Sequence, residues 1–350
     1  MRLVTIRPMV GDWATGAHHR PAIALPSGRL LPIGALVDAA PTGLPAEFGR
    51  MELAELLAAD PGLAAIREAF AAADSDAMEA ASLAPGNVRL LAPIPRPGKI
   101  VGVGYNYLDH IREQGLERPA RPVLFSMFAN AVASDADPIR HPDGTHALDL
   151  EAELAVVIGR RAARVSVTDA LGHIAGFTAA NDVTARDWQG QARALRPGEK
   201  GDGQWLRAKG SDTFLPLGPV LVTADELGDG RGLAVGSWRT AAAGPDAGQP
   251  FQMQDGNTSD LLFGIAELIA IISAEVTLDP GDVIVTGTPS GVGVFREPQI
   301  FLEPGDLVRV EIEKIGSLTS PVTDADGTAP DGTPAARFMA GNASAARGAL

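Results

Sequence analysis

The sequence contains no cysteine among its 350 residues. Disulfide bonds, thiolate metal ligands and a cysteine nucleophile are therefore excluded. Long hydrophobic runs are also missing, since no apolar stretch approaches the roughly 20 residues that span a bilayer. At the start, Arg7 and Pro8 interrupt any apolar core of a signal peptide. We therefore expect a cytoplasmic protein without a membrane-spanning segment.

Positive charge is scarce. The chain has 29 lysines and arginines against 43 acidic residues, which gives a formal net charge of −14. Nucleic acids and anionic membrane surfaces are bound through basic patches, so neither is an expected partner. A hydrophobic content of 45% is ordinary for a soluble globular protein. The length suffices for one large domain with an appendage, or for two domains.

Composition changes along the chain and predicts three regions. Residues 1–93 combine strand-like pieces with an Ala- and Leu-rich helical section over about 51–81, which predicts a small N-terminal α+β domain. After a Pro-rich linker, residues 98–322 contain many short apolar runs separated by Gly and Pro, typical of a strand-rich domain. The one convincing helix there covers 259–273. Residues 323–350 predict a mobile tail.

Three carboxylates form the first candidate site. Glu151 and Glu153 stand at the mouth of an apolar run, and a strand turns both to one face. Asp182 ends a second predicted strand. Burying like charges together is costly unless something positive lies between them, and three oxygen ligands suit a hard cation better than zinc. Alternatively, the glutamates lie on a solvated strand face, and Asp182 caps a turn or helix.

His110 and Glu113 form a second candidate. Spaced i, i+3, they share one face of a predicted short helix and can hydrogen-bond. A carboxylate on one imidazole nitrogen leaves the other nitrogen free to act as a general base. The alternative is an ordinary surface pair. Lys209 could stabilise an enolate or oxyanion near a metal, or be a solvated loop lysine.

Two further segments offer groups for an anion. Arg186 and Gln189 follow the proposed ligand Asp182 closely and could hold a substrate carboxylate, or bond locally. The Gly- and Thr-rich loop over 286–293 presents backbone N–H groups and the Thr288 hydroxyl. This loop lacks the Gly-Lys-Ser/Thr ending of a nucleotide-binding P-loop.

In this order along the chain, the clusters closely resemble the fumarylacetoacetate hydrolase family. The resemblance covers about 99–322 and implies an α+β, mostly β fold of mixed sheets rolled around a central core, usually as a homodimer. The resembling segments are 104–110, 150–159, 181–189, 209–219, 254–260, 279–293 and 304–312.

The resemblance also implies roles for the candidate residues. It places Mg²⁺ or Mn²⁺, with Ca²⁺ as a further option, on the three carboxylates named above. It implies a lid around 106–121 that closes the His–Glu pair over the substrate, and Lys209 beside the developing negative charge. Around the substrate it implies contacts from Tyr105, Arg186, Gln189 and Thr288.

Three functions follow from these predictions. The first is a metal-dependent hydrolase that cleaves a C–C bond in a 2,4-dioxo acid, in aromatic or sugar-acid catabolism. The second uses the same metal and enolate as a decarboxylase or enol–keto isomerase of a 2-oxo dicarboxylate. The third is a non-catalytic relative that binds metal and carboxylate. It is suggested by Met127, which stands where the family often has a lysine.

Overall fold

A computed structural model of the chain describes residues 1–9, 19–39, 43–201 and 203–342. The strands are β1 (Arg2–Pro8), β2 (Arg20–Ala24), β3 (Leu30–Pro32), β4 (Val88–Leu91), β5 (Ile100–Gly104), β6 (Val123–Met127), β7 (Val132–Ala133), β8 (Ile139–Arg140), β9 (Leu148–Asp149), β10 (Ala152–Ile158), β11 (Ile174–Asn181), β12 (Thr184–Ala185), β13 (Leu215–Thr223), β14 (Ala234–Thr240), β15 (Pro250–Asn257), β16 (Val283–Val285), β17 (Leu307–Ile312) and β18 (Gly316–Thr323). The helices are α1 (Ile33–Ala39), α2 (Leu53–Ala59), α3 (Ala64–Ala72), α4 (Ser75–Ala81), α5 (Leu108–Glu113), α6 (Val167–Ala170), α7 (Arg186–Gln189), α8 (Trp205–Lys209), α9 (Ala224–Leu227), α10 (Ile265–Glu275) and α11 (Pro334–Asn342).

The described strands form a large mixed sheet, a five-stranded sheet and a two-stranded sheet of β9 and β12. The large sheet has the order β3-β2-β1-β13-β11-β10-β16-β5-β6, with β4 beside β1 and β7 beside β13. Its central strands β10, β11 and β13 are buried over their whole length, in agreement with their largely apolar sequences. A five-stranded sheet has the order β15-β14-β17-β18-β8. The predicted α+β, strand-rich fold of mixed sheets is confirmed.

The N-terminal strands belong to the large sheet. Strand β1 pairs antiparallel with β13, so that Leu3 lies opposite Leu221. Side chains from both parts of the chain, such as Leu56 and Val283, pack in one apolar cluster. Residues 1–93 therefore share a sheet and a core with the strand-rich region, and their separation as a domain stays a prediction.

The predicted helical section over 51–81 contains α2, α3 and α4, separated by two breaks. At the first break the Asp60 carboxylate accepts hydrogen bonds from the backbone N–H groups of Ala65 and Ile66. Asp74 caps α4 in the same way through Ala77. Aspartates that satisfy free N–H groups favour helix starts. Within the described ranges no helix is long and apolar enough to cross a membrane.

Helix α10 begins at Ile265, six residues later than predicted. The Asn106 side chain accepts a hydrogen bond from the Phe263 N–H and donates one to the Phe263 carbonyl. The Asn106 carbonyl also accepts from the backbone N–H of Leu262. These contacts occupy the backbone groups that an earlier helix start would need, and the helix starts only after Gly264.

Part of the predicted tail is folded. Helix α11 packs against β17 and β18, and its Ala335 is fully buried. The backbone N–H of Ala335 donates to the Gly305 carbonyl. The segment that contains this helix is therefore packed against the five-stranded sheet, and the mobility of the tail stays a prediction. Residues 343–350 of the predicted tail lie outside the described residues.

The shared core predicts how a mutation in β1 affects stability. Leu3 is fully buried, so Leu3→Ala should lower the free energy of unfolding by about 2–5 kcal/mol. Leu171, which is 37% exposed, provides the matched Leu→Ala control, and its effect should stay within about 0.5 kcal/mol. Urea denaturation followed by circular dichroism measures both. Equal midpoints for the two variants, or a separate first transition in the wild type, would show that β1 is not part of one cooperative core.

Candidate metal and acid–base site

Two neighbouring strands bring the three carboxylates together. In the β10–β11 pair, Ala152 lies opposite Asn181, and the Asp182 N–H donates to the Glu151 carbonyl. Each of Glu151, Glu153 and Asp182 offers an oxygen, and these oxygens all lie within 4.8 Å of one another. All three side chains are buried. The solvated strand face, which the sequence left open, does not occur here.

Lys209 contacts two of these carboxylates from α8. Its Nζ donates to Glu151 Oε2 at 2.8 Å, to Asp182 Oδ2 at 2.7 Å and to Thr184 Oγ1 at 2.8 Å. Burial would lower the pKa of Lys209, but Asp182 and Glu151 outweigh it and raise this pKa. Lys209 is therefore a charged, buried group of the site and not a solvated loop lysine.

Arg186 lies at the start of α7 and bonds two acidic side chains. Its Nε donates to Asp149 Oδ2 at 2.9 Å, and its Nη1 lies 2.7 Å from Glu151 Oε1. Nη1 also donates to Gln189 Oε1 at 3.3 Å. The remaining nitrogen, Nη2, is buried and has no hydrogen-bond partner among the residues that the structure describes. The Arg186 guanidinium group therefore bonds neighbouring side chains and also keeps one nitrogen as a possible donor to an anion.

The carboxyl groups respond differently to this environment. Burial would raise the pKa of Glu151, but Lys209 and Arg186 overcome it and lower that pKa to about 2. Burial raises the pKa of Asp182 to about 7, even though Lys209 opposes the change. Burial and the charges of Asp182 and Glu151 raise the pKa of Glu153 well above its usual value. The positive charges of Lys209 and Arg186 therefore do not compensate all the negative charge of the three carboxylates.

The donor set fits a divalent cation. Asp182 Oδ1 is buried and has no hydrogen-bond partner within the described part of the chain, although a buried carboxylate oxygen ordinarily has one. Carboxylate oxygens are the ligands that Mg²⁺, Mn²⁺ and Ca²⁺ prefer. A bound cation would satisfy this oxygen and compensate the excess charge. The acidic triad could therefore hold a divalent metal.

His110 and Glu113 lie on α5 and bond to each other. His110 Nδ1 is 2.9 Å from Glu113 Oε2, and Glu113 Oε1 accepts from the Gly291 N–H at 2.9 Å. The imidazole also makes an edge-to-face contact with Phe295, with 5.9 Å between ring centroids. The carboxylate favours the proton on Nδ1 and leaves Nε2 as the base. His110 is buried and lines the cavity, so the pair is not a surface pair.

Helix α5 is fixed to the loop that follows β16. Asp109 Oδ2 accepts from the backbone N–H and the hydroxyl of Ser290, at 3.1 and 2.8 Å. The Asp109 N–H donates to Asp260 Oδ2 at 2.7 Å. These bonds hold the predicted lid helix against the cavity.

Thr288 lines the cavity, but its hydroxyl is engaged by protein. It donates to the Ala152 carbonyl at 2.9 Å and accepts from Gln254 Nε2 at 2.7 Å. Gln254 Oε1 in turn accepts from the Ala152 N–H. The hydroxyl therefore holds β10 between Glu151 and Glu153, and this occupancy argues against its predicted use as a free anion donor.

These groups surround one cavity with about 410 Å³ of space, its mouth included. Nine of the ten predicted site residues line this cavity. The tenth, Glu113, does not line it but bonds to His110, which does. Met127 packs in the apolar core instead. The lining residues are Val103, Gly104, Tyr105, His110, Gln114, Phe125, Glu151, Glu153, Asp182, Arg186, Gln189, Gln191, Trp205, Lys209 and Thr288.

Several residues that contribute to the site were not predicted from the sequence. Asp149 continues the two-residue alternation of Glu151 and Glu153, and this signal could have revealed it. Trp205 precedes Lys209 by four residues, one helical turn, which is a weaker signal. Gln254 gives no local signal, because its partner Ala152 is 102 residues away.

Comparison with known proteins gives consistent matches. Residues 99–323 match the protein family described as "Fumarylacetoacetate (FAA) hydrolase C-terminal". The oxaloacetate tautomerase fahd2, mitochondrial, of Xenopus laevis is 43% identical over 261 residues, which are 75% of this chain and 76% of that protein. Among solved structures, a fumarylacetoacetate hydrolase from Exiguobacterium antarcticum matches with a TM-score of 0.69 at 29% identity, covering 93% of this chain and 99% of the other. A 2-hydroxyhepta-2,4-diene-1,7-dioate isomerase from Mycobacterium marinum matches with 0.62 at 31%, covering 93% and 98%.

The triad predicts the effect of removing one carboxylate. Glu153→Gln should weaken Mn²⁺ binding by more than about 100-fold, because even changes to the outer partners of metal ligands cost about 10–100-fold. Titration followed by electron paramagnetic resonance of free Mn²⁺ measures this. The exposed Glu275 provides the control Glu275→Gln, which should bind Mn²⁺ like the wild type. Equal affinity in both variants would remove Glu153 from the metal site.

Proposed function

Because the chain belongs to the fumarylacetoacetate hydrolase family, we propose that it is a divalent-metal-dependent enzyme that interconverts the keto and enol forms of a small 2-oxo dicarboxylic acid. The observation that carries this proposal is the buried His110–Glu113 pair at a cavity that also contains three carboxylates. The name of the frog relative supports oxaloacetate as the substrate.

The floor of the cavity consists of Glu151, Glu153, Asp182, Arg186 and Lys209. It would bind the oxo-acid end of the substrate. A divalent cation on Glu151, Glu153 and Asp182 would supply Lewis-acid polarisation of the 2-oxo group. Lys209 places a buried positive charge beside the same carboxylates, where it stabilises the negative charge of an enolate. Arg186 Nη2, which has no partner in the described ranges, offers a hydrogen bond to the substrate carboxylate.

His110 would move the proton. Its Nε2 accepts the proton from the carbon next to the 2-oxo group, and the C–H electron pair forms the enolate double bond. Glu113 stabilises the resulting imidazolium through Nδ1. The imidazolium then returns a proton to the oxygen or to the carbon. No water is consumed, and the composition of the substrate is unchanged.

Hydrolysis of a 2,4-dioxo acid is the second candidate. The 2.9 Å bond between His110 and Glu113 is also suited to activating a water molecule, and one similar solved structure is named a fumarylacetoacetate hydrolase. Decarboxylation of an oxo dicarboxylate would use the same enolate stabilisation. A non-catalytic relative has little support, because Met127, which suggested it, lies in the core and not at the cavity.

Several finer predictions accompany this proposal. We expect Mg²⁺ or Mn²⁺ as the ion and a homodimer as the assembly. A cytoplasmic location stays a prediction, and the frog relative is named as mitochondrial. A role in the catabolism of aromatic compounds or sugar acids also stays a prediction.

Loss of the enol absorption of oxaloacetate at neutral pH tests the proposal. The wild type with Mg²⁺ should accelerate it over Mg²⁺ alone, and EDTA should abolish the difference. His110→Ala should reduce the rate by about 100-fold or more while Mn²⁺ binding is retained, because a positioned acid–base group contributes about 10²–10⁴-fold. His173, whose Nδ1 contacts the Arg160 carbonyl away from the cavity, provides the control His173→Ala with unchanged rate.

Product analysis separates the candidate reactions. Oxaloacetate decarboxylation yields pyruvate, which lactate dehydrogenase detects, and acylpyruvate hydrolysis yields pyruvate together with a carboxylic acid. Faster loss of the enol without pyruvate indicates tautomerisation. If no 2-oxo acid reacts faster than with the metal alone, the enzyme proposal fails. Full activity of His110→Ala would remove the His–Glu pair from the mechanism.

A further inference from the structure

Three aromatic side chains form one wall of the cavity. Trp205 lies at the centre of this aromatic wall, which consists of Tyr105, Phe125 and Trp205. The ring centroids of Phe125 and Trp205 are 5.2 Å apart with 60° between planes, and those of Tyr105 and Trp205 are 6.1 Å apart at 66°. Such edge-to-face contacts favour a fixed arrangement of rings. All three side chains are half-buried and line the cavity.

Two glycines of β5 make room for the aromatic wall. A Cβ atom at Gly102 would overlap the ring of Phe125, and one at Gly104 would lie 3.2 Å from the Trp205 ring. The Gly-Val-Gly sequence at the end of β5 therefore allows the rings to approach the backbone closely. The position of the wall is set by the strand as well as by ring contacts.

The aromatic wall lies close to the acidic triad. Trp205 and Lys209 stand four residues apart in α8 and so share one face of that helix. The Lys209 Nζ is 5.2 Å from the centroid of Phe125 and within 2.8 Å of oxygens of Glu151 and Asp182. One ammonium group thus touches the carboxylates on one side and the aromatic wall on the other. This leaves little depth between floor and wall.

We propose that Trp205 determines substrate specificity by limiting the length of the tail beyond the 2-oxo acid group. This inference rests on the proposed function, since it concerns the tail of the same substrate. An oxo acid bound at the floor extends only a few atoms before it meets the aromatic wall. We therefore expect this space to admit a four-carbon dicarboxylate and to exclude branched or aromatic tails.

The polar groups at the cavity agree with a short, polar tail. Gln114, Gln189 and Gln191 line it and can donate amide hydrogen bonds to a second carboxylate. Gln189 is already positioned, because its Oε1 accepts from Arg186. A small number of precisely placed polar groups is the usual basis of small-ligand specificity.

Enlarging the pocket tests the proposal. We compare kcat/KM for oxaloacetate and for benzoylpyruvate, counting any enzyme-dependent loss of the enol band as turnover. In Trp205→Ala the ratio of benzoylpyruvate to oxaloacetate should rise by at least about tenfold, since small changes in pocket size alter discrimination by about 10–200-fold. Trp205→Phe should give a smaller rise. Trp238→Ala, which removes an indole stacked on Arg309 in the other sheet, should leave the ratio unchanged.

A binding experiment keeps this inference separate from the proposed function. Dissociation constants of pyruvate and phenylpyruvate with Mg²⁺ are measured by calorimetry in the same variants. If the wild type turns over neither substrate but Trp205→Ala gains phenylpyruvate affinity selectively, the proposed function fails and the inference about Trp205 stands. The inference would be overturned if a Trp205→Ala protein with native circular dichroism kept both the wild-type kcat/KM ratio and the wild-type ratio of the two dissociation constants. If that variant does not fold, unchanged ratios in Trp205→Phe and Phe125→Leu would overturn it.

Discussion

Burial of excess negative charge is the constraint on which the site depends. Four acidic side chains share a buried space with two cations, Arg186 and Lys209. The acidic side chains are Asp149 and the acidic triad of Glu151, Glu153 and Asp182. Buried ion pairs of this kind contribute little net stability, because desolvation opposes the attraction, and an uncompensated buried charge is strongly destabilising. The arrangement is therefore poorly explained as a stabilising device. It is well explained as a site that is completed by a divalent cation and an anionic substrate.

Each element near the site satisfies part of this constraint. The ends of β10 and β11 supply the carboxylates, while α7 and α8 supply the cations. The loop after β16 donates the Gly287 N–H to Glu153 and bonds Glu113 through Gly291. The same loop thus supports both the acidic triad and the His110–Glu113 pair. Because β10 and β11 are central strands of the large sheet, the ligands rest on rigid elements, as precise sites require.

The sequence predicts the parts of the site that depend on local periodicity. Alternation along a strand places Glu151 beside Glu153, and i, i+3 spacing places His110 beside Glu113. Relations across long separations are not visible in this way. The bond between Asn106 and Phe263, 157 residues apart, delays the start of α10.

The pairing of β1 with β13 is equally invisible, because alternation identifies a strand but not its neighbour. For this reason the predicted region boundary near residue 93 rests on composition alone, while the large sheet continues across it through the β1–β13 pair. The bonds by which Thr288 and Gln254 hold β10 could not be predicted for the same reason. Both side chains bond Ala152, which lies more than 100 residues away in the chain.

The floor of the cavity does not by itself select a reaction. Tautomerisation, decarboxylation and hydrolysis all need a stabilised enolate, which the triad, Lys209 and Arg186 are arranged to provide. Hydrolysis additionally needs space for an acyl group and for a water molecule between that group and His110. An aromatic wall close to the floor reduces this space and leaves direct proton transfer to His110 as the simplest step. The reaction class is therefore expected to depend on the tail side of the cavity, where Trp205 lies, more than on the metal ligands.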